Sequence, residues 1–406
     1  MFATQERLTE QRNNFMKKTD KTISLMSDFE VQYEKILAET QTSPYIRQLS
    51  EIKSVSENRP VILYGAGKAV GIVLVVCRKY GLNITALCDS NKTGIYENGG
   101  VSLPIISPKE LVENYSDSSL IVTSWKFENE IRENLKSIGF SNDNIFSFWY
   151  PQRITPEIFK ENYYDGYKLA YVFYEDEKSK QIVVDKIRNY LTSSPLNPNT
   201  LNEMYYEDVI NLSDEEVFLD GGAYDGDSVK NFIKKVNGKY KYIYAFEPDS
   251  EPFIKLSNDL KNIDNAEAIN AGLGGKNYIA TFHFDGLVAS GFVPLRYFAT
   301  SGTKFTDTEF KTEEKDVFSV DMLIKEEKIK HIPTFIKLDV EGCETGALKG
   351  ATNLIRQHKP KLAICAYHQV SDIYAIPQTI MSIRSDYKFI LRQHDYGYYE
   401  TVLYAY

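Results

Sequence analysis

This chain lacks the makings of a disulfide or thiolate-metal framework. Its four cysteines, Cys77, Cys88, Cys343 and Cys365, stand singly, with no C-x-x-C pair and no histidine at ligand spacing. Buried thiols in a reducing compartment are therefore expected. A basic excess is missing too. With a formal net charge of -9 at pH 7, the chain has no broad cationic face to release counterions from a phosphate backbone, which argues against nucleic acid as a partner. No stretch approaches the roughly 18 to 20 consecutive apolar residues of a membrane span. The first residues, MFATQERLTEQRNNFMKK, mix charges where an export signal needs an apolar core. The expectation is a cytoplasmic protein without a membrane span.

What the chain does have is length and alternation. Its 406 residues, 43% of them hydrophobic, can enclose more than one core. Residues 1–58 are polar except for Met26, Phe29, Tyr33, Ile36 and Leu37, which recur at the spacing of one helix face. A helical N-terminal segment is predicted, and its apolar stripe calls for docking or for pairing in a homo-oligomer. Residues 59–150 alternate apolar runs (PVILY, ITALCD, SLIVTS) with helical patterns, as a small parallel βαβ unit would. Residues 151–212, rich in tyrosine and acidic residues, carry the helical QIVVDKIRNYL and then the turn-forming SSPLNPN; they read as a helical connector packed on the C-terminal domain. From residue 213 to 406 the alternation resumes as a second open α/β sheet. It is interrupted over residues 271–332 by an irregular stretch where a substrate loop is expected. The predicted fold class is thus α/β, with two Rossmann-like units, the smaller one first.

Each unit opens on a glycine loop after its first strand, where open parallel sheets bind ligands. LYGAGKAVG, residues 63–71, offers Gly65, Gly67, Lys68 and, at the end of the next strand, Asp89. Exposed N–H groups and a cation suit a phosphate, although the G-x-G-x-x-x-G spacing also serves a plain tight turn. VFLDGGAYDGDS, residues 217–228, crowds Asp220, Asp225 and Asp227 around Gly221, Gly222, Ala223, Gly226 and Ser228. A carboxylate about 4 Å from a pyrophosphate charge costs roughly 4 kcal/mol at an effective dielectric near 20, so a dinucleotide is disfavoured there. An ammonium and a sulfonium reverse the sign, and S-adenosylmethionine carries both. In YAFEPD, Phe246, Glu247 and Pro248 end the next strand, where a carboxylate can accept both ribose hydroxyls.

FLDGGAYDGDS, YAFEPD, FIKLDVEGCETGALKGA, KPKLAICAYH and ETVLYA, in that order, resemble the FkbM family of S-adenosylmethionine-dependent methyltransferases, over roughly residues 202 to 406. The resemblance implies a class I methyltransferase domain of Rossmann-like fold that methylates an oxygen, often a sugar hydroxyl in polysaccharide or glycoconjugate pathways. The preceding unit resembles the nucleotide-binding-like module found before that domain in some family members.

A hydroxyl is a poor nucleophile at neutral pH, so a base or a metal is expected to face the methyl group. Asp339 ends the strand FIKLD, Glu341 follows in the same turn, and His368 ends the strand KLAICAY. These three are the candidate catalytic residues, and a carboxylate-imidazole set of this kind also suits a divalent metal. Glu341 and Glu344 can instead favour the start of the following helix. Two other functions stay open at this point: an NAD-dependent oxidoreductase using the Gly65 loop, and a non-catalytic sugar-nucleotide-binding module.

Overall fold

The structure is a computed structural model and describes residues 20–41, 44–67, 70–98, 101–123, 127–148, 154–284, 311–397 and 399–406. It opens with two helices, α1 (Asp20–Thr40) and α2 (Pro44–Val55). A six-stranded sheet comes after them, built from β1 (Val61–Tyr64), β2 (Ile84–Cys88), β3 (Gly94–Asn98), β4 (Val101–Ile106), β5 (Ser119–Val122) and β6 (Ile145–Ser147) in the order β3-β4-β2-β1-β5-β6. All its neighbours are parallel except the β3/β4 hairpin at one edge. The sequence reading of a purely parallel unit missed that hairpin, whose turn falls outside the described residues. Among the helices of this unit, α3 (Val70–Lys79) directly follows the glycine loop.

Three helices come next: α4 (Pro156–Asn162), α5 (Tyr164–Phe173) and α6 (Glu177–Thr192). Thr155 and Asp176 cap the first and last of them by accepting from Ile158 N–H and Ser179 N–H. These helices cover one face of the second sheet. With them packs α1, whose predicted stripe is buried: Phe29, Tyr33 and Ile36 are all at most 2% exposed. Phe29 meets Tyr164 edge-on, with ring centroids 5.4 Å apart, and Lys168 and Arg188 form ion pairs with Glu30 and Glu39 of α1. The leading helix thus shares a core with helices more than a hundred residues downstream and with the second sheet.

That second sheet comprises β7 (Val217–Gly221), β8 (Tyr242–Phe246), β9 (Ala266–Ile269), β13 (Phe335–Leu338), β14 (Lys361–Cys365), β15 (Phe389–Gln393) and β16 (Thr401–Ala405), in the order β15-β16-β14-β13-β7-β8-β9. Strand β16 runs antiparallel to both its neighbours, and the remaining pairs are parallel. The chain reverses its direction of growth between β7 and β13, so a crevice opens at their carboxyl ends. The stretch expected to be irregular forms a small sheet of β10 (Gly272–Leu273), β12 (Lys311–Phe318) and β11 (Tyr278–Phe284). The expected substrate loop within it lies largely outside the described residues. Among the described residues no helix is long and apolar enough to cross a membrane.

Candidate active site

The crevice at the β7/β13 switch point is a cavity of about 810 Å³, in the range that holds a cofactor with part of a substrate. Of the residues expected to bind cofactor, Gly222, Asp227, Ser228, Phe246, Glu247 and Pro248 line it; Asp220, Gly221, Ala223 and Gly226 do not. Gly222 is required by geometry. Its φ is +76°, and a Cβ there would sit 1.9 Å from the carbonyl oxygen of Asp339, so the loop can press onto β13 only without a side chain.

Asp220 lies behind the loop rather than in the cavity. It is fully buried, accepts from Ser228 Oγ at 2.5 Å, and pairs with Lys337 Nζ at 3.0 Å. The parallel register sets Lys337 of β13 directly opposite Asp220 of β7, and the ammonium also donates to the carbonyl of Gly222 at 2.5 Å. Burial pushes the Asp220 carboxyl above its usual range despite the lysine. Lys337 was not singled out from the sequence. Its one signal was a lysine inside the apolar run TFIKL.

At the β8 end, Glu247 is 6% exposed and accepts backbone N–H bonds from Tyr224 at 2.8 Å and Asp249 at 2.7 Å. Burial pushes its carboxyl up to about 7, against the lowering effect of those bonds. Each oxygen keeps a further lone pair for a ligand hydroxyl. Glu247→Ala is expected to lose about 1 to 3 kcal/mol of S-adenosylmethionine affinity by titration calorimetry, the range for charge-assisted hydrogen bonds. Since the ionised carboxylate is the better acceptor, wild-type affinity should weaken by about tenfold as pH falls from 8 to 6 through that value. Glu247→Gln should flatten the profile, and a pH-independent wild type would exclude Glu247 from the ribose contact.

At the β13 end, Asp339 and Glu341 line the same cavity. Asp339 accepts from Tyr205 Oη at 3.0 Å and from Tyr367 Oη at 3.1 Å. Burial would raise its carboxyl, but Lys337, His368 and hydrogen bonds from Cys365 and Tyr205 hold it below the usual range. Glu341 occupies the left-handed region at φ +53°, costly for a residue with a side chain and tolerated where the surroundings enforce it. His368, 5% exposed, sets its Nε2 at 3.5 Å from Asp339 Oδ1 and 3.4 Å from Glu341 Oε2, while Nδ1 lies 2.8 Å from Glu344 Oε1. Burial alone would lower the imidazole pKa; the three carboxylates outweigh it and bring it to about 10. The ring is thus charged at neutral pH. Glu344 accepts N–H bonds from Val340 at 3.0 Å and Gly342 at 3.3 Å, so it both caps the turn and braces His368. The structure therefore brings the three predicted catalytic side chains together. Sequence reasoning missed Tyr205 and Tyr367, two among 29 tyrosines.

The first glycine loop is closed on itself. Gly65 has φ +113°, and Asp89 accepts from Ala66 N–H at 2.7 Å, Asn91 N–H at 2.9 Å and Lys92 N–H at 3.0 Å. Lys92 Nζ donates to Ala66 O at 2.8 Å. Gly67 is the exposed tip, and Lys68 lies outside the described residues. Asp89→Ala should therefore cost about 1 to 3 kcal/mol in denaturant unfolding and leave S-adenosylmethionine affinity unchanged. Loss of that affinity would mean the cofactor sits in the first unit.

A seven-stranded sheet with one antiparallel strand next to its edge and a crevice at the switch point is the Rossmann-like methyltransferase fold. Residues 220–398 match the family model described as the methyltransferase FkbM domain, and residues 57–146 match that of the C2185-like N-terminal family. The crystal structure of methyltransferase FkbM from Methylobacillus flagellatus KT is 21% identical and covers 95% of this chain and 100% of its own, with a TM-score of 0.63. An rRNA methylase from Streptococcus thermophilus is 14% identical over 48% of this chain and 87% of its own, with a TM-score of 0.28. Aeropyrum pernix fibrillarin with natively bound S-adenosyl-L-methionine is 12% identical over 48% of this chain and 70% of its own, also at 0.28. No curated protein matches this chain.

Proposed function

We propose that this protein transfers the methyl group of S-adenosylmethionine to a hydroxyl of a sugar or glycoconjugate, in polysaccharide biosynthesis. The observation that carries this reading is the continuity of one acidic cavity from Glu247 to Asp339 and Glu341. Its two lysines are already committed, Lys337 to Asp220 and Lys255 to Asp225. A cationic cofactor is favoured there and a pyrophosphate is not. The tyrosines and carboxylates at the Asp339 end suit a polyol acceptor, with ring faces for C–H groups and oxygens for hydroxyls.

In the reaction the acceptor oxygen attacks the methyl carbon, the C–O bond forms as the C–S bond breaks, and the cofactor leaves as a neutral thioether. The hydroxyl proton passes to a carboxylate, with Asp339 and Glu341, which both line the cavity, the candidates. A weak base suffices, because the alkylated oxygen is a far stronger acid than a carboxylic acid. His368, held in its charged form, helps keep the Asp339 carboxyl below its usual range. An NAD-dependent reaction at the Gly65 loop is disfavoured because Asp89 is consumed by the loop's own N–H groups. The test is titration of the full chain with S-adenosylmethionine, S-adenosylhomocysteine and NAD, followed by mass spectrometry of glycans from a deletion strain. Binding of NAD alone, or glycans unchanged in methylation, would overturn the proposal.

A further inference from the structure

We propose that Asp339, Glu341 and His368 bind a divalent transition-metal cation, of which Mn²⁺ is the convenient probe. One ligand atom from each lies within 4.8 Å of the others. The Nε2 of His368 is 3.5 Å from Asp339 Oδ1 and 3.4 Å from Glu341 Oε2. Neighbouring ligands of a small divalent ion with bonds of about 2.1 Å lie roughly 3.0 Å apart in octahedral and 3.4 Å apart in tetrahedral geometry. The two distances from the histidine are therefore close to those of a ligand face, and the two carboxylate oxygens lie within 4.8 Å of each other before any side chain moves.

Carboxylates near one another are common without an ion, and the histidine distinguishes this cluster. His368 is 5% exposed, and its Nε2 makes no hydrogen bond although it points between two carboxylates. Its other nitrogen faces Glu344, which is 1% exposed and is itself fixed by the N–H groups of Val340 and Gly342. A carboxylate behind the ring is the arrangement that orients a histidine ligand and raises its basicity. Tyr205 and Tyr367 likewise fix Asp339 through its two oxygens. The cation would be reached from the cavity, because Asp339 and Glu341 line it, and its remaining positions would be open to water or to an acceptor oxygen. One nitrogen and two carboxylate ligands favour a first-row transition ion over calcium, which prefers oxygen. The second cluster, Glu344, His368 and Asp372, is wholly buried and serves as the brace.

The catalytic meaning rests on the methyl-transfer reading, whereas cation binding itself does not. With the ion in place His368 would give up its Nε2 proton to cavity water and act as a ligand with Asp339 and Glu341, so binding tightens as pH rises. The cation would supply Lewis acidity that lowers the pKa of an acceptor hydroxyl at an open position, whose proton would then leave to cavity water. The test uses the full chain, stripped with chelator and titrated with Mn²⁺ alone by calorimetry and electron paramagnetic resonance. About one bound Mn²⁺ per chain is expected. Asp339→Asn, Glu341→Gln and His368→Ala should each weaken binding at least tenfold, and Glu344→Gln should weaken it by about 10 to 100-fold through the ring it orients. Glu341 lies at the cavity wall, so Glu341→Gln carries the test if His368→Ala fails to fold. No binding by the wild type, or binding unchanged in the folded variants, would overturn the inference. S-adenosylmethionine binding without Mn²⁺ binding would sink this inference alone. Mn²⁺ binding without S-adenosylmethionine binding would sink the proposed function alone.

Discussion

Asp339→Asn is expected to lower turnover by roughly 10²-fold or more while leaving S-adenosylmethionine affinity near the wild-type value. The substitution keeps the shape of the side chain and an oxygen for one of the two tyrosine hydroxyls, but removes the charge that receives the proton or, with a cation bound, holds the cation. Cofactor contacts should survive because Glu247, proposed to bind the ribose, follows a different strand, β8. His368→Ala should cost a comparable factor by a different route. Without the charged ring, Asp339 and Glu341 repel each other at close range, and one of them becomes protonated. Single-turnover rates at saturating cofactor, with affinity measured in parallel, separate these effects. Near-normal turnover in both variants would remove the pair from the mechanism.

Lys337→Met is expected to destabilise the protein by about 3 to 5 kcal/mol, the range for removing one partner of a buried ion pair. Asp220, fully buried, would keep only the Ser228 hydroxyl as a side-chain partner, and the carbonyl of Gly222 would lose its ammonium donor. The double variant Lys337→Met with Asp220→Leu should recover much of the loss, since it leaves no unpaired charge; coupling between such neighbours is strongly non-additive. Urea unfolding with a shared slope measures both. A single-variant loss below about 1 kcal/mol would show that the pair does not hold the loop against β13.

How far the sequence was legible depended on whether a signal was local. The strand-end carboxylates Glu247 and Asp339 stood out because each closes an apolar run, and the end of such a strand faces the crevice by topology alone. The buried stripe of Phe29, Tyr33 and Ile36 was equally visible, because helical periodicity is written within twenty residues. Its partner was not, since nothing local says that Phe159 and Tyr164 will meet it across an intervening domain. Lys337 stayed hidden for the same reason: its role exists only once β7 and β13 are neighbours in register. Tyr205 lies in a connector and reaches Asp339 through the third dimension. Asp89 shows the converse limit, because its position was read but not the three loop N–H groups that occupy it.

The core shared by α1 with α4, α5 and α6 has a consequence for how the chain is made. Helix α1 leaves the ribosome well before the helices that cover it, which begin at Pro156. At 5 to 20 residues per second, roughly ten seconds of synthesis separate them. During that interval the six-stranded sheet can close, while Phe29, Tyr33 and Ile36 remain a bare apolar stripe on the nascent chain, open to holdase chaperones. Arrested chains of increasing length, probed by limited proteolysis, should show α1 protected only after the helix ending at Thr192 has emerged; protection before Pro156 emerges would mean that another surface shelters it first.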